Sequence, residues 1–457
     1  MSCSVHQAKV CTAAESGLTS SPLLSAVRSS WPRLPTSRGD DVKTSQRALG
    51  LPQGIALYVG AVLGTGILFL PAVGAQTAGP ASLLAWVVLI ILSVPLALTY
   101  ATLSRSRPDA AGFSESIERA FGARWGAVAG WLFLAQAPTG LVIVTLVAGQ
   151  YAATALGQPA WVVPAGAFLV ASALVLNLVG LRLSANVQMA ALAVIVVGVV
   201  IVVSSALLHL RAEAFVPFFP YGVAPVGLAA AQLFWAFVGW EAITPLADEF
   251  RDPADIWRAS LITLALVGLL YVALAVATIG THAYSSGPAG QANVARMAIV
   301  VFGQLAGPIV GLGGFLLSFP TVNVYMAGMT RLAAALGRRG QLPGWLGPVT
   351  NGIPRRALVA LSLVYVAVVA VLLVTHLEIA RILPLPAANF IVIYVMSMAA
   401  AARLLPGAAR YVAVIALVSC SAVLMFLGPV LLWPVLIAAA ALVYQRFSRR
   451  RVEQLTV

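Results

Sequence analysis

From residue 50 almost to its C-terminus, the sequence alternates long apolar segments with short polar connections. About 20 consecutive apolar residues are enough to cross the hydrocarbon core of a bilayer. Twelve such segments lie near 52–77, 80–103, 126–156, 161–180, 184–210, 225–248, 259–282, 304–336, 357–376, 379–402, 410–427 and 429–446. Only 9% of the 457 residues are charged, which leaves little of the chain for a soluble domain. The pattern predicts an all-α integral membrane protein with about twelve transmembrane helices.

The two ends of the chain differ from this middle part. Residues 1–48 are rich in Ser, Pro, Thr and Arg and lack the apolar run of a signal peptide, which predicts a disordered cytoplasmic tail. Residues 49–447 form the predicted membrane domain, and residues 448–457 a short cytoplasmic C-terminal tail. The break at Gly428-Pro429 is short, so a single kinked span over the last two segments, giving eleven in all, stays open.

The basic residues predict the orientation, because cytoplasmic connections of membrane proteins carry an excess of Lys and Arg. With a cytoplasmic N-terminus, all but three of the 27 Lys and Arg residues fall on the cytoplasmic side; the exceptions are Arg211, Arg296 and Arg381. We therefore expect a multi-pass protein of the cell membrane with both termini cytoplasmic. The net charge of +13 is explained in this way, and the basic residues form no patch typical of nucleic-acid binding.

Glu241 is the one acidic residue that lies well inside a predicted segment. Its surroundings, LFWAFVGWEAITPLADEF (233–250), also contain Gly239 and Pro245. Proline removes a backbone donor and disturbs the preceding turn, which favours a broken helix here. Broken backbone at membrane depth is tolerated only where it is buried in protein or lines a cavity. The alternative is a kinked helix with a buried, protonated Glu241.

The first segment contains GAVLGTGIL, with Gly60, Gly64 and Gly66 near its middle and Pro71 after it. Gly60 and Gly64 match the GxxxG pattern of helix packing, which is the alternative to a functional break. Gly66 with Thr65 is less well explained by packing.

The first and sixth segments are five spans apart. Interruptions at corresponding positions of two five-span halves are typical of inverted-repeat transporters. Half-helix amides can bind a carboxylate, and freed carbonyls can bind an ammonium group. A zwitterionic amino acid suits both.

Five stretches resemble one family over about residues 48–446. They are GLPQGIALYVGAVLGTGILFLPAV (50–73), RPDAAGF (107–113), GWLFLAQAPTGL (130–141), FWAFVGWEA (234–242) and DEFRDP (248–253). Together they resemble the amino acid–polyamine–organocation permeases, and most closely the branch of bacterial methionine and branched-chain amino acid exporters. The resemblance implies a LeuT-like 5+5 inverted repeat with two additional C-terminal helices, and alternating access around a site between spans one, three, six and eight.

The resemblance also implies a set of substrate-binding residues. They are Gly64, Thr65, Gly66, Trp235, Phe237, Val238 and Gly239. The first three would contact the substrate carboxylate through backbone amides, and the last three would offer backbone groups to the amine. Trp235 would cover the bound substrate, and Glu241 would act as a proton-sensing or conformational switch.

Polar residues near prolines in spans three and eight are weaker candidates for contact with substrate or ion. They are Gln136, Ser318, Thr321 and Asn323. Hydrogen bonding within the helix bundle is the alternative for all four. Some proton-coupled relatives carry a lysine in span five, whereas the corresponding stretch SANVQMAALAVIVV (184–197) has none. Glu241 then remains as the coupling candidate, with uncoupled transport as the alternative.

We expect a secondary active transporter that exports neutral apolar amino acids (methionine, leucine, isoleucine, valine) by alternating access. An importer or exchanger of the same fold, or a transporter-like sensor without transport, stays open. An enzyme is not expected, because Glu241 and the four histidines form no group at catalytic spacing. The expected partners are an amino acid, the lipid bilayer and, as candidate coupling ion, the proton. No cofactor, metal ion or nucleic acid is predicted, and the sequence indicates no oligomeric state.

Overall fold

A computed structural model describes residues 49–106, 113–179, 185–240, 250–284, 292–375 and 382–455. Nine helical segments within these ranges are long and apolar enough to cross a bilayer. Large apolar side chains such as Ile91, Phe168 and Leu269 are 61%, 66% and 71% exposed on helix surfaces, as expected for residues that face lipid. The prediction of an all-α membrane protein is confirmed.

The helices are numbered in chain order. The first eight are α1 (Leu51–Leu63), α2 (Leu70–Ala78), α3 (Ser82–Ser106), α4 (Phe113–Phe121), α5 (Ala123–Leu134), α6 (Val142–Leu156), α7 (Val162–Val179) and α8 (Ala185–Ala206). The others are α9 (Ala224–Leu233), α10 (Ala254–Gly280), α11 (Asn293–Phe302), α12 (Ala306–Arg338), α13 (Arg355–Thr375), α14 (Pro384–Leu404), α15 (Gly407–Leu424) and α16 (Leu432–Leu455).

The first predicted segment is interrupted in its middle. Helix α1 ends at Leu63, Gly64 adopts a φ of 42°, and a 3₁₀ turn covers Gly66–Leu68 before α2 begins. Glycine is the residue that adopts a positive φ without a steric penalty, so Gly64 permits this ending.

The sixth predicted segment is interrupted in the same manner. Helix α9 passes into a 3₁₀ turn at Phe234–Phe237, and Val238 is extended with a ψ of 141°. Gly239 then takes a φ of 129°. The description stops at Trp240, so Glu241 and Pro245 lie outside the described residues. The helix is broken before either of them, at Val238 and Gly239.

A π-helical turn, Ala137–Leu141, joins α5 to α6. Pro138 lies within it, and a proline cannot donate the backbone hydrogen bond that a regular helix needs at that position. Single π turns inside helices occur frequently at functional sites.

The helices pack in two groups that meet around the interrupted segments. Helix α10 contacts α1 and α3, and α9 contacts α2 and α3. In the second group, α6 contacts both α12 and α7, which also contact each other. The approach is close where a glycine lies at the contact: a Cβ at Gly149 would be 2.0 Å from the Val162 carbonyl oxygen. Small residues allow such approaches between membrane helices.

The chain reverses direction between α15 and α16. Gly428, in the connection, has a φ of 51°. Near the end of α14, Arg403 lies over the Phe121 ring of α4 at 5.7 Å, so α15 starts beside α4. From the second half of α16, the side chain of Gln445 donates to the carbonyl oxygen of Arg124, in the first turn of α5 and three residues after α4 ends. The chain thus returns toward the side from which α15 started, which favours two spans over a single kinked one.

Replacing Gly149 by alanine tests the contact between α6 and α7. The added methyl group would overlap the backbone of Val162, so the helices must separate. We expect a loss of about 1–3 kcal/mol, as for other overpacked contacts, measured as a lower midpoint of thermal unfolding in detergent. The matched control is Gly198→Ala on α8, where the new methyl group meets nothing within 4 Å. Equal midpoints for both variants would contradict the packing described.

Candidate functional site

The two interruptions lie side by side. A Cβ at Gly239 would be 2.6 Å from the Ala61 carbonyl oxygen in the last turn of α1, so only glycine fits there. The 3₁₀ turns Gly66–Leu68 and Phe234–Phe237 also contact each other. The structure therefore brings together the two backbone segments that the resemblance implies for substrate binding.

The glycines of the first interruption have different surroundings. A Cβ at Gly60 would be 3.1 Å from the Leu192 side chain of α8, which fits the packing alternative. A Cβ at Gly64 would meet nothing within 4 Å, so this glycine is required by its backbone conformation and not by packing. A Cβ at Gly66 would lie 2.9 Å from the Leu70 side chain and 3.3 Å from the Tyr271 hydroxyl. The GxxxG interpretation thus applies to Gly60 alone.

Tyrosine hydroxyls from three other helices bind the interrupted backbone. Tyr271 of α10 donates to the Leu63 carbonyl oxygen at 3.2 Å. Tyr151 of α6 donates to the Leu68 carbonyl oxygen at 2.7 Å. The amide of Gly239 donates to the Tyr394 hydroxyl of α14 at 3.0 Å.

These tyrosines are missing from the candidates that the sequence supplied. Tyr151, Tyr271 and Tyr394 are each 1% exposed or less, and a buried tyrosine hydroxyl usually finds a hydrogen-bond partner. The sequence shows only that these tyrosines lie in apolar segments. It does not reveal that their hydroxyls form hydrogen bonds with the interrupted backbone.

Helix ends of both polarities meet at this place. The C-terminal end of α1 carries the partial negative charge of helix carbonyls, and the turn that precedes α2 is at the partially positive end of the next helix. Thr65, between them, is 4% exposed. The end of α9 adds a second set of carbonyl groups. This arrangement can bind a ligand with both a carboxylate and an ammonium group.

A narrow crevice adjoins the interruptions, with room for about one water molecule. Its lining residues are uncharged: Gln136, Gly140, Leu141, Val144, Trp235, Thr321, Val322, Tyr325, Met329 and Phe390. Trp235 lies between the crevice and the first interruption. Its ring lines the crevice and also packs edge-on against Phe69, just after that interruption, with the ring centroids 5.9 Å apart.

The weaker candidates separate into two kinds. Gln136 and Thr321 line the crevice. Ser318 donates to the Gly314 carbonyl oxygen of its own helix, and the Asn323 side chain accepts from Asn177 of α7 at 2.7 Å. For Ser318 and Asn323 the contacts are those of bundle packing. Within the described ranges, no group of three or more His, Cys, Asp or Glu residues could hold a metal ion.

Tyr271→Phe tests the role of the tyrosine hydroxyls. Its removal leaves the buried Leu63 carbonyl oxygen without this donor, which costs about 1–3 kcal/mol. We expect a lower midpoint of thermal unfolding in detergent. The control is Tyr411→Phe on α15, where the side chain is 72% exposed and the change should stay within about 0.5 kcal/mol. If Tyr271→Phe were as stable as the control, the hydroxyl would not support the interruption.

Comparison with known proteins relates this geometry to a family. A family model described as amino acid permease matches residues 49–454. The amino acid permease YecA of Bacillus subtilis is 36% identical over 411 residues, which cover 88% of this chain and 96% of YecA. The L-methionine/branched-chain amino acid exporter YjeH of Escherichia coli is 34% identical over 395 residues, which cover 84% of this chain and 92% of YjeH.

Among solved structures, MhsT in complex with L-phenylalanine matches with a TM-score of 0.58 and 16% sequence identity, over 82% of this chain and 97% of MhsT. This similarity confirms the LeuT-like fold predicted from the sequence. The relatives are permeases and not enzymes, and the helices are those of a multi-pass membrane protein. The chain therefore belongs to the amino acid permeases of the amino acid–polyamine–organocation superfamily.

Proposed function

We propose that this permease is a secondary active transporter that exports neutral apolar amino acids across the cell membrane by alternating access. The observation that carries the proposal is the pair of interrupted helices that meet beside an uncharged crevice. Backbone amides and carbonyls can bind the charged groups common to all amino acids, whereas the crevice can select the side chain.

In this proposal the amides of Gly64, Thr65 and Gly66 bind the substrate carboxylate. Backbone groups of Phe237–Gly239 bind the amine, and Trp235 covers the substrate. Support comes from the contact between the two interruptions and from the position of Trp235 against Phe69.

The side-chain preference follows from the walls of the crevice. Leu141, Val144 and Phe390 offer apolar surface, and no lining residue carries a charge to pair with an acidic or basic side chain. Methionine, leucine, isoleucine and valine suit such walls, and YjeH is named for methionine and branched-chain substrates. Because the crevice has room for only about one water molecule, substrate binding must widen it.

The proposed orientation has both termini in the cytoplasm, with 1–48 and 448–457 as tails of a transport domain at 49–447. Support comes from a cluster of basic residues around one end of the bundle. Arg339 pairs with Glu118 of α4 at 3.3 Å, and Arg119 lies on the same helix. Arg403 stacks on the ring of Phe121, the last residue of that helix. An excess of basic residues marks the cytoplasmic side.

The test is flux in proteoliposomes that contain the purified protein. Labelled methionine or leucine is placed inside or outside, with and without a proton gradient. We expect flux of both amino acids, and faster release than uptake when the vesicles have the cytoplasmic face inside. An absence of flux in every arrangement would overturn the proposal, and faster uptake would identify an importer. A transporter should keep its flux when residues 1–48 are removed.

Gly66→Leu tests the backbone site. A Cβ at this position would crowd the Leu70 side chain and the Tyr271 hydroxyl, so the leucine must displace its neighbours and cover the amides proposed to bind the substrate carboxylate. We expect flux at the background level from a protein that still inserts and purifies as a folded species. The control is Gly198→Leu, whose Cβ enters open space on α8. Normal flux by Gly66→Leu would remove this interruption from the site.

Glu241→Gln tests coupling to protons. Glu241 is the one acidic residue well inside a predicted span, which motivates its proposed role as a switch. We expect wild-type flux to vary with pH and the variant to lose that variation. Glu213→Gln, in an exposed turn after α8, serves as the control and should keep the wild-type profile. An unchanged profile at a normal rate would reduce Glu241 to a structural residue.

A further inference from the structure

The side-chain amide of Gln136 has one hydrogen-bonded end and one unpaired end. The side chain is 1% exposed, and its Nε2 atom donates to the Pro386 carbonyl oxygen of α14 at 3.2 Å. Its Oε1 atom is buried and has no hydrogen-bond partner among the described residues. Such an unpaired acceptor is unusual in a folded protein and calls for an explanation.

The orientation of this amide follows from its partner. A carbonyl oxygen only accepts hydrogen bonds, so Pro386 must face the NH₂ group and Oε1 must point away. The free oxygen lies beside Gly140, one turn further along: a Cβ there would be 3.1 Å from Oε1 and 3.6 Å from the Trp235 ring. The missing side chain at Gly140 leaves space between the acceptor and the tryptophan proposed to cover the substrate.

We propose that Gln136 Oε1 accepts a hydrogen bond from the side chain of the substrate. The site then takes neutral amino acids with a side-chain donor, such as threonine, in addition to the aliphatic ones. This inference rests on the proposed amino acid transport and deepens it by naming a substrate class. Gln136, Gly140 and Val144 are spaced by four residues and all line the crevice, so a side chain that enters it meets the acceptor.

Threonine and valine separate this role from simple packing, because the two have nearly the same shape. An apolar pocket prefers the methyl group of valine over the hydroxyl of threonine by a factor on the order of 100, since the hydroxyl loses its bonds to water. An acceptor in the wall restores one bond and reduces that preference.

The experiment compares kcat/KM for labelled valine and threonine in proteoliposomes. For the wild type we expect a preference for valine of less than about tenfold. For Gln136→Leu we expect the preference to rise at least about tenfold, toward the value of an apolar pocket, through loss of threonine transport. Gly140→Ala keeps the glutamine but fills the space beside Oε1, so it should shift the ratio in the same direction.

The matched control is Gln150→Leu. Gln150 lies on α6, is 7% exposed and is not among the residues that line the crevice, so its removal should leave the ratio unchanged. Valine flux with the same ratio in the wild type and both crevice variants would overturn the inference and leave the proposed function intact. Absence of flux of every neutral amino acid in the wild type would overturn the proposed function and this inference with it.

Discussion

The backbone hydrogen bond is the constraint on which the rest of this structure depends. The hydrocarbon core offers no water, so each amide and carbonyl there needs a partner within the protein. The interruptions after Leu63 and at Gly239 remove partners from both helices. Tyr271 and Tyr394 supply replacements from α10 and α14. The helices must therefore pack around the interruptions, because these hydroxyls are useful only at hydrogen-bond distance.

Tyr151 has a further consequence for alternating access. Its ring lies against Gly314 of α12, where a Cβ would be 2.2 Å from the ring, and its hydroxyl reaches Leu68 before α2. The bond thus crosses from the group of α6, α7 and α12 to the group that contains α1 and α2. Tyr271 binds Leu63 within one group. A movement of one group against the other would therefore act on the bond of Tyr151, which joins the two groups, and leave the bond of Tyr271 within one of them.

The crevice, too, depends on a glycine and on a hydrogen bond between helices. Glycine at 140 provides space, and the bond from Gln136 to Pro386 fixes one end of an amide whose other end stays available. In the proposed site, the charged groups of an amino acid are bound by backbone groups, which are identical for every residue type. In the same proposal, selectivity is left to a few side chains such as Trp235 and Gln136.

The sequence by itself determined the membrane class, the family and the place of both interruptions, because hydropathy, proline and glycine act locally. It also identified Gly64 and Gly66 as candidates, but it left open whether Gly64 packs with Gly60 in a GxxxG contact, because the contact of Gly60 with Leu192 joins residues far apart in the chain. Only the tertiary structure decided that Asn323 bonds to Asn177 while Gln136 keeps an unpaired oxygen. It also revealed the tyrosines. A hydrogen bond between distant residues depends on how helices pack, and spacing along the chain does not encode that directly.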